Sequence, residues 1–306
     1  MPRSIDKKLV IAVASSALFD LGKADAIYRN DGIQAYRDYQ LAHENDVLEQ
    51  GVAFPFIRRF LTLNEVAGEP VEVVLLSQND PGTGIRVLNS IERYGLKITR
   101  AAFRKGRAPG DYLKVFNAKL FLSANETDVV KAIDQGHPAG HVLPSVADDD
   151  EDDQELRIAF DFDGVLADDK SERIYQEEGL DAFKRHESKF ATVPLDPGPL
   201  KPLLEGISEI QNAEIEMSKD DKDYEPRIRT AIFTARSVPS HKRVMESLRS
   251  WGVAVDEAFF LDGMEKARVL REFKPHVFFD DQTVHTDLSR VYVPSVHIPF
   301  VTKVCR

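Results

Sequence analysis

Two aspartates, one residue apart, close an apolar run: Ile158-Ala159-Phe160-Asp161-Phe162-Asp163-Gly164. In an extended chain residues i and i+2 share a face, so both carboxylates leave the strand on the same side. At the C-terminal edge of a parallel strand they reach the crevice where α/β sheets bind ligands. Burying a carboxylate without a partner is costly, so the pair asks for a cation or a reacting group. Gly164 permits a sharp turn and a close approach of backbone N–H to an anion. A second run, Ala231-Ile232-Phe233-Thr234-Ala235-Arg236, ends in a hydroxyl. Thr234 and the backbone amides of Ala235 and Arg236 suit phosphate oxygens, although a threonine here equally suits a helix cap. Arg236 reads either as a substrate contact or as a surface ion-pair partner. Lys266 opens the helical pattern of GMEKARVLREF. A cation there opposes the helix dipole, and Lys266 reads either as an ordinary surface lysine or as a charge clamp between nucleophile and phosphate. Val277-Phe278-Phe279-Asp280-Asp281 ends a further buried run in adjacent carboxylates. Adjacent residues face opposite ways, so one is expected to bind a metal directly and the other to act through water or to hold the loop. Asp-x-Asp, Thr, Lys and Asp-Asp, in that order at strand ends, form a specific constellation.

The elements that must position these residues are strands alternating with helical patterns. KKLVIAVA, VEVVLLSQ and KLFLSA read as strands in the first half, and ELRIAFDF, IRTAIFTA and HVFFDD in the second. Such alternation predicts an α/β fold with parallel sheets and helices on both faces. The halves also match each other. A constant offset of 147 pairs Leu9 with Leu156, Ile11 with Ile158, Gly32 with Gly179, Leu48 with Leu195 and Gly51 with Gly198. An offset of 157 then pairs Arg86-Val87 with Arg243-Val244, Gly106 with Gly263 and Phe121 with Phe278. The extra residues of the second half fall near SKDDKDYEP. Internal duplication is the expectation. Residues 136–155, rich in Gly, Pro and acid and holding six consecutive carboxylates from Asp148 to Asp153, read as a solvated linker between 1–135 and 156–306.

At these fixed offsets the first half keeps the scaffold and loses the chemistry. LVIAVASSALFD places Ala14 at the position of Asp161 and Ser16 at that of Asp163. Ser77 stands for Thr234, Pro109 for Lys266, and Ser123-Ala124 for Asp280-Asp281. Catalysis is therefore expected in the second half alone, with support, capping or regulation left to the first.

Composition narrows the partners. The formal charge of −11 argues against a nucleic acid polymer, which wants a basic face. The single cysteine, Cys305, excludes an internal disulfide and favours the cytoplasm. The start MPRSIDKKLVIAVASS mimics a signal peptide, but the apolar run is short and reads as a strand. No stretch approaches the ~20 apolar residues of a membrane span.

These motifs resemble the haloacid dehalogenase superfamily of phosphohydrolases. AFDFDGVLADDKSERIYQEEGL, SLRSWGVAVDEAFFLDG and HVFFDDQ, with SSALFD, AFPFI, VLNSIERYGL and YLKVFNAKLFLSA, further resemble the cytosolic 5′-nucleotidase type I family from about residue 8 to residue 300. That family usually has Gly between the two motif aspartates and Ala after them, where this chain has Phe162 and Gly164. The resemblance implies two Rossmann-like units and a Mg²⁺-dependent 5′-nucleotidase acting on nucleoside monophosphates such as AMP. Asp161 would be the nucleophile, and Asp163 would protonate the leaving oxygen and then deprotonate water. Thr234 and Lys266 would hold phosphate oxygens, with Gly164, Ala235 and Arg236 lining the substrate. Mg²⁺ would lie among Asp161, the Asp163 carbonyl and the Asp280–Asp281 pair, with Asp281 favoured as the direct ligand. The insertion at about 168–197 would form a helical cap, from which Lys201 reads as a substrate contact or as plain surface. ADP binding to the first half follows from the same resemblance; that half reads equally as structural, packing on the second or forming a homo-oligomer contact. The alternatives are a phosphatase of another small ester and a nucleotide-sensing binding protein.

Overall fold

The computed structural model describes residues 5–66, 68–108 and 110–299. Cys305 and Pro109 lie outside them. The chain divides into two compact units, Met1–Pro144 and Ser145–Arg306.

The first unit runs β1 (Leu9–Val13), α1 (Ser15–Leu18), α2 (Gly22–Ala42), α3 (Phe54–Thr62), β2 (Val71–Ser77), α4 (Ile85–Arg93), β3 (Arg100–Phe103), β4 (Ala118–Ser123), α5 (Glu126–Asp134) and β5 (Ala139–Val142). The second runs β6 (Leu156–Phe160), α6 (Lys170–Glu178), α7 (Leu180–Lys189), α8 (Lys201–Asp220), β7 (Ile228–Thr234), α9 (His241–Trp251), β8 (Glu257–Phe260), α10 (Lys266–Phe273), β9 (Val277–Asp280), α11 (Thr283–Ser289) and β10 (Ser295–His297). No helix among the described residues is long and apolar enough to cross a membrane.

Strand order is β3-β2-β1-β4-β5 in the first unit and β8-β7-β6-β9-β10 in the second. The pairings within each are parallel. β1 is buried at every residue and β7 at all but one. Strands covered on both faces need apolar residues throughout, which is why these runs are continuous rather than alternating. In the second unit Phe233, Phe273 and Phe278 form the centre of the core, and Phe259 stacks on Phe233 at 4.6 Å.

The outermost strands were not apparent in the sequence. β3 and β8 are half-buried edges, while β5 and β10 are four and three residues long. β5 corrects the expected linker: Ala139–Val142 pairs with β4, because backbone hydrogen bonding recruits a Gly-Ala stretch that side-chain pattern does not mark. The acidic stretch is not wholly solvated either, since Asp153 pairs with Arg157 at 2.6 Å.

Both units carry a helical insertion after their first strand, on matching stems. Asp168 N donates to Asp196 O at 2.9 Å, and Asp20 N to Glu49 O at 2.9 Å. In the second unit the insertion is α6 and α7, joined at Gly179 with φ 82° and ψ 177°. In the first, α2 is kinked at Gly32 with φ 83° and ψ −177°. This backbone region is almost exclusive to glycine. A cap was expected in the second half only. The first carries a helical insertion at the same place. The added length of the second unit lies in α8, 20 residues against 9 for α3, and in the turn after it.

Candidate active site

Three neighbouring strands, β9, β6 and β7, deliver the polar residues to one edge. Asp161 follows β6 directly, Thr234 ends β7, and Asp280 ends β9. The Asp161 N–H donates to Phe279 O at 2.8 Å, which fixes the loop to the next strand. Alternation then sends Phe162 the other way. It is fully buried and stacks on Trp251 with ring centroids 6.1 Å apart. The phenylalanine that departs from the resembling family's glycine thus belongs to the core.

Lys266 is the cation of the site, buried at the first turn of α10. Its ammonium lies 2.8 Å from Asp161 Oδ1 and 2.7 Å from Asp280 Oδ2. Burial alone would lower its pKa, but the two carboxylates outweigh that and hold the charge on. Asp280 also accepts the Gln282 N–H at 2.9 Å, so its carboxylate is committed to the ammonium and to its own loop. Asp281 differs. Its Oδ1 is buried without a hydrogen-bond partner. A Cβ on Gly164, whose φ is +74°, would collide with the Asp281 carboxylate, so glycine leaves the room that Asp281 occupies.

Carboxylate oxygens of Asp161, Asp280 and Asp281 lie within 4.8 Å of one another. Burial, reinforced by Asp280 and Asp163 against the opposing Lys266, pushes Asp161 up to about 8. Burial and then Asp161 and Asp280 push Asp281 up to about 9. One ammonium does not balance this much buried negative charge, and one carboxylate oxygen of Asp281 has no hydrogen-bond partner. An oxygen-preferring divalent cation fits both observations.

Thr234 Oγ1 accepts the Arg236 N–H at 3.2 Å, which leaves its own O–H free in direction to donate. The Ala235 carbonyl accepts from Gly263 N at 3.2 Å, tying this loop to the one that leads to Lys266. Lys201 pairs with Glu205 one helical turn away. Arg236 is buried and forks onto Asp163, with Nε to Oδ2 and Nη2 to Oδ1 both at 2.7 Å. Its remaining edge pairs with Glu187 of α7. Glu187 also accepts from Arg243 Nη1 at 2.9 Å and Ser171 Oγ at 2.9 Å.

Sequence reasoning passed over Glu187. A signal was present: Phe183 and Glu187 in α7, and Phe190 just past its end, fall at helical spacing, and a glutamate between two aromatics on one face needs a partner.

A cavity of about 520 Å³ lies beside the insertion, bordered by Asp168, Lys170, His186, Phe190 and Arg243. Asp161, Asp163, Thr234 and Lys266 do not line it. A smaller one of about 260 Å³ occupies the matching place in the first unit, bordered by Asp20, Lys23, Tyr39, His43 and Arg86. It recurs where the carboxylates are absent, so it belongs to the insertion's architecture rather than to the carboxylate cluster.

In the first unit the strand-end loops close on themselves. Ser15 Oγ and Ser77 Oγ are 2.9 Å apart and buried. The bracing bonds are present here too: Asn79 N donates to Ser77 Oγ at 3.1 Å and Asn125 N to Ser123 Oγ at 3.0 Å. These repeat the Arg236–Thr234 and Gln282–Asp280 bonds.

A family model described as 5′-nucleotidase matches residues 1–304. The human protein named cytosolic 5′-nucleotidase 1B is 36% identical over 287 residues, covering 91% of this chain and 47% of the relative. The chain thus spans about half the length of that curated relative. The match to the family model extends over nearly every residue that builds the two sheets and the carboxylate cluster, and the chain belongs to the 5′-nucleotidase family.

Proposed function

We propose that the second unit hydrolyses nucleoside 5′-monophosphates to nucleoside and phosphate, in the cytosol as the human relative's name indicates. The observation that carries this reading is Asp161 held by Lys266 at a strand end, with Asp163 two residues on and Asp281 carrying an unpartnered oxygen.

Asp161 is the nucleophile. Its carboxylate attacks phosphorus, the bond to the 5′-oxygen breaks, and an aspartyl-phosphate forms. The Arg236 fork leaves each Asp163 oxygen a second lone pair, where Asp163 carries the proton it gives to the departing oxygen and takes one from the water that cleaves the intermediate. Lys266 opposes the burial that raises Asp161 and so favours its ionised form; with the Thr234 hydroxyl and the amides of Ala235 and Gly164, it faces the phosphoryl oxygens where charge spreads. Arg236, fully engaged by carboxylates, serves Asp163 rather than the substrate in this reading. Asp161, Asp281 and the Asp163 carbonyl would hold Mg²⁺, which when bound offsets the repulsion between an anionic nucleophile and an anionic ester. Asp280 holds the loop instead. The first unit supports that division, because Ser123 makes the same loop bond with no carboxylate at Ala124 beside it.

We further infer that the units arose by duplication and that the first has no catalytic role. The shared strand order, the matching stems and the kinks at Gly32 and Gly179 support this.

Phosphate release across AMP, IMP, deoxynucleotides and sugar phosphates, with and without Mg²⁺, tests the function. Nucleotide-selective, Mg²⁺-dependent release that Asp161→Asn lowers at least about a thousandfold is expected. Preference for sugar phosphates would make the protein a phosphatase of another ester. Nucleotide binding without turnover would make it a sensor. Calorimetric titration of ADP into Asp161→Asn tests regulation: a site that AMP does not displace would give the first unit a ligand.

A further inference from the structure

The link from Asp163 through Arg236 to Glu187 runs from the strand-end loop of the sheet to the helical insertion. Its two ion pairs join groups that are nearly all buried. A two-pronged guanidinium fixes the plane of the carboxylate it holds. Arg236 is itself fixed: Phe162 and Phe183 lie with ring centroids 5.6 and 5.4 Å from its Cζ, and Glu187 takes its outer edge. Glu187 is anchored in turn by Arg243 of α9 and Ser171 of α6.

The first unit carries the same three positions in neutral form. Ser16, Asn79 and Gln40 stand at the fixed offsets from Asp163, Arg236 and Glu187. Gln40 is buried like Glu187, and Asn79 pairs with Tyr36 Oη at 3.2 Å. Arg243 has its counterpart in Arg86, and each bonds the returning stem, at Val193 O and Asp46 O respectively, both at 2.9 Å. The stem bond is thus common to both units, while the charged chain is confined to the unit that has a carboxylate to orient.

We infer that Glu187 is a positioning residue: through Arg236 it fixes the Asp163 carboxylate, and so ties protonation of the leaving group to the seating of the insertion. This rests on the reaction proposed above. As the phosphorus–oxygen bond breaks, the proton passes from Asp163 to the alkoxide oxygen. When water cleaves the aspartyl-phosphate, its proton returns to Asp163. Only a carboxyl held at the leaving oxygen performs the first transfer.

The test compares two esters in single-turnover release of the leaving group. A nucleoside 5′-monophosphate needs its alkoxide protonated, whereas p-nitrophenyl phosphate loses a stable phenolate unaided. Glu187→Gln keeps the volume and copies the residue of the first unit. It is expected to slow nucleoside release about 10–100-fold, part of the ~10²–10⁴-fold that general acid catalysis supplies, and aryl release less than about 3-fold. Asp163→Asn with Glu187→Gln is expected to be no slower than Asp163→Asn alone. Equal loss with both esters, or additive loss in the double variant, would show a merely structural ion pair and overturn the inference. Arg236→Lys, which keeps the charge and loses the fork, is read by the same ratio and decides the matter should Glu187→Gln fail to fold. A wild-type protein inactive on both esters would overturn the proposed reaction along with it. With wild-type turnover in hand, the ratio judges the inference alone.

Discussion

Lys266, buried between two carboxylates, bears directly on stability. Its ammonium is enclosed by Asp161 and Asp280, and its removal leaves buried carboxylates without their cation. Breaking such a pair costs about 3–5 kcal/mol. Lys266→Met is therefore expected to lower the melting temperature of a unit this size by about 6–20 °C, and Asp280→Asn added to it to restore part of that loss. Thermal melts of the single and double variants check both. Glu187 governs a pH effect. Burial raises its pKa, but Arg236 first, then Arg243, hold it below its ordinary value of 4.5. A carboxylate lowered in the folded state contributes stability that is fully present above its unfolded value and lost as pH falls through the folded one. Acid unfolding of the wild type is thus expected to steepen below about pH 4.5, and that component to vanish in Glu187→Gln. Equilibrium unfolding from pH 6 to pH 2 measures it.

At the scale of elements, the insertion depends on its stem and its kink. The Gly198 N–H donates to Leu166 O at 2.8 Å, and a Cβ there would lie 2.5 Å from Ala167 O and 2.6 Å from Val165 O. Backbone atoms do not yield as flexible side chains do. Gly198→Ala is expected to cost about 1–3 kcal/mol, the usual range for overpacking, and to reduce turnover by shifting the insertion. Gly179 meets no atom, yet its backbone conformation is closed to other residues. Gly179→Ala is expected to cost a similar 1–3 kcal/mol through strain alone. Urea unfolding of both variants, with turnover measured beside it, separates steric displacement from strain. The corresponding Gly51→Ala and Gly32→Ala should destabilise the first unit and leave the carboxylate cluster unaltered.

Across the whole molecule the two units share a topology and differ in charge at the strand ends. A cation that binds only the folded carboxylate cluster stabilises it by mass action, about 2.7 kcal/mol at 100 times its Kd. Mg²⁺ is expected to raise the unfolding temperature of the second unit, and Asp281→Asn to abolish that rise. Ser77→Ala, in the loop that closes on Ser15, is expected to leave both the Mg²⁺ response and turnover unchanged. Calorimetric scans with and without Mg²⁺ settle the comparison.

By itself the sequence determined the three central strands of each unit, six in all, and the polar residue at the end of each one in the second unit. Buried parallel strands are continuous apolar runs, so a carboxylate or hydroxyl that interrupts one is conspicuous without coordinates. Fixed offsets likewise exposed the paired glycines before their backbone angles were seen. The tertiary structure decided the rest. β3, β5, β8 and β10 are held by backbone bonds to a neighbour, which leave little trace in side-chain pattern. Asp280 and Asp281 look alike in the chain, and only packing commits one to Lys266 and leaves an oxygen of the other unpartnered. Arg236 and Glu187 are 49 residues apart, and no local rule pairs them. Their contact exists because the stem between Asp168 and Asp196 brings the insertion back over the strand ends, where two buried opposite charges must find each other.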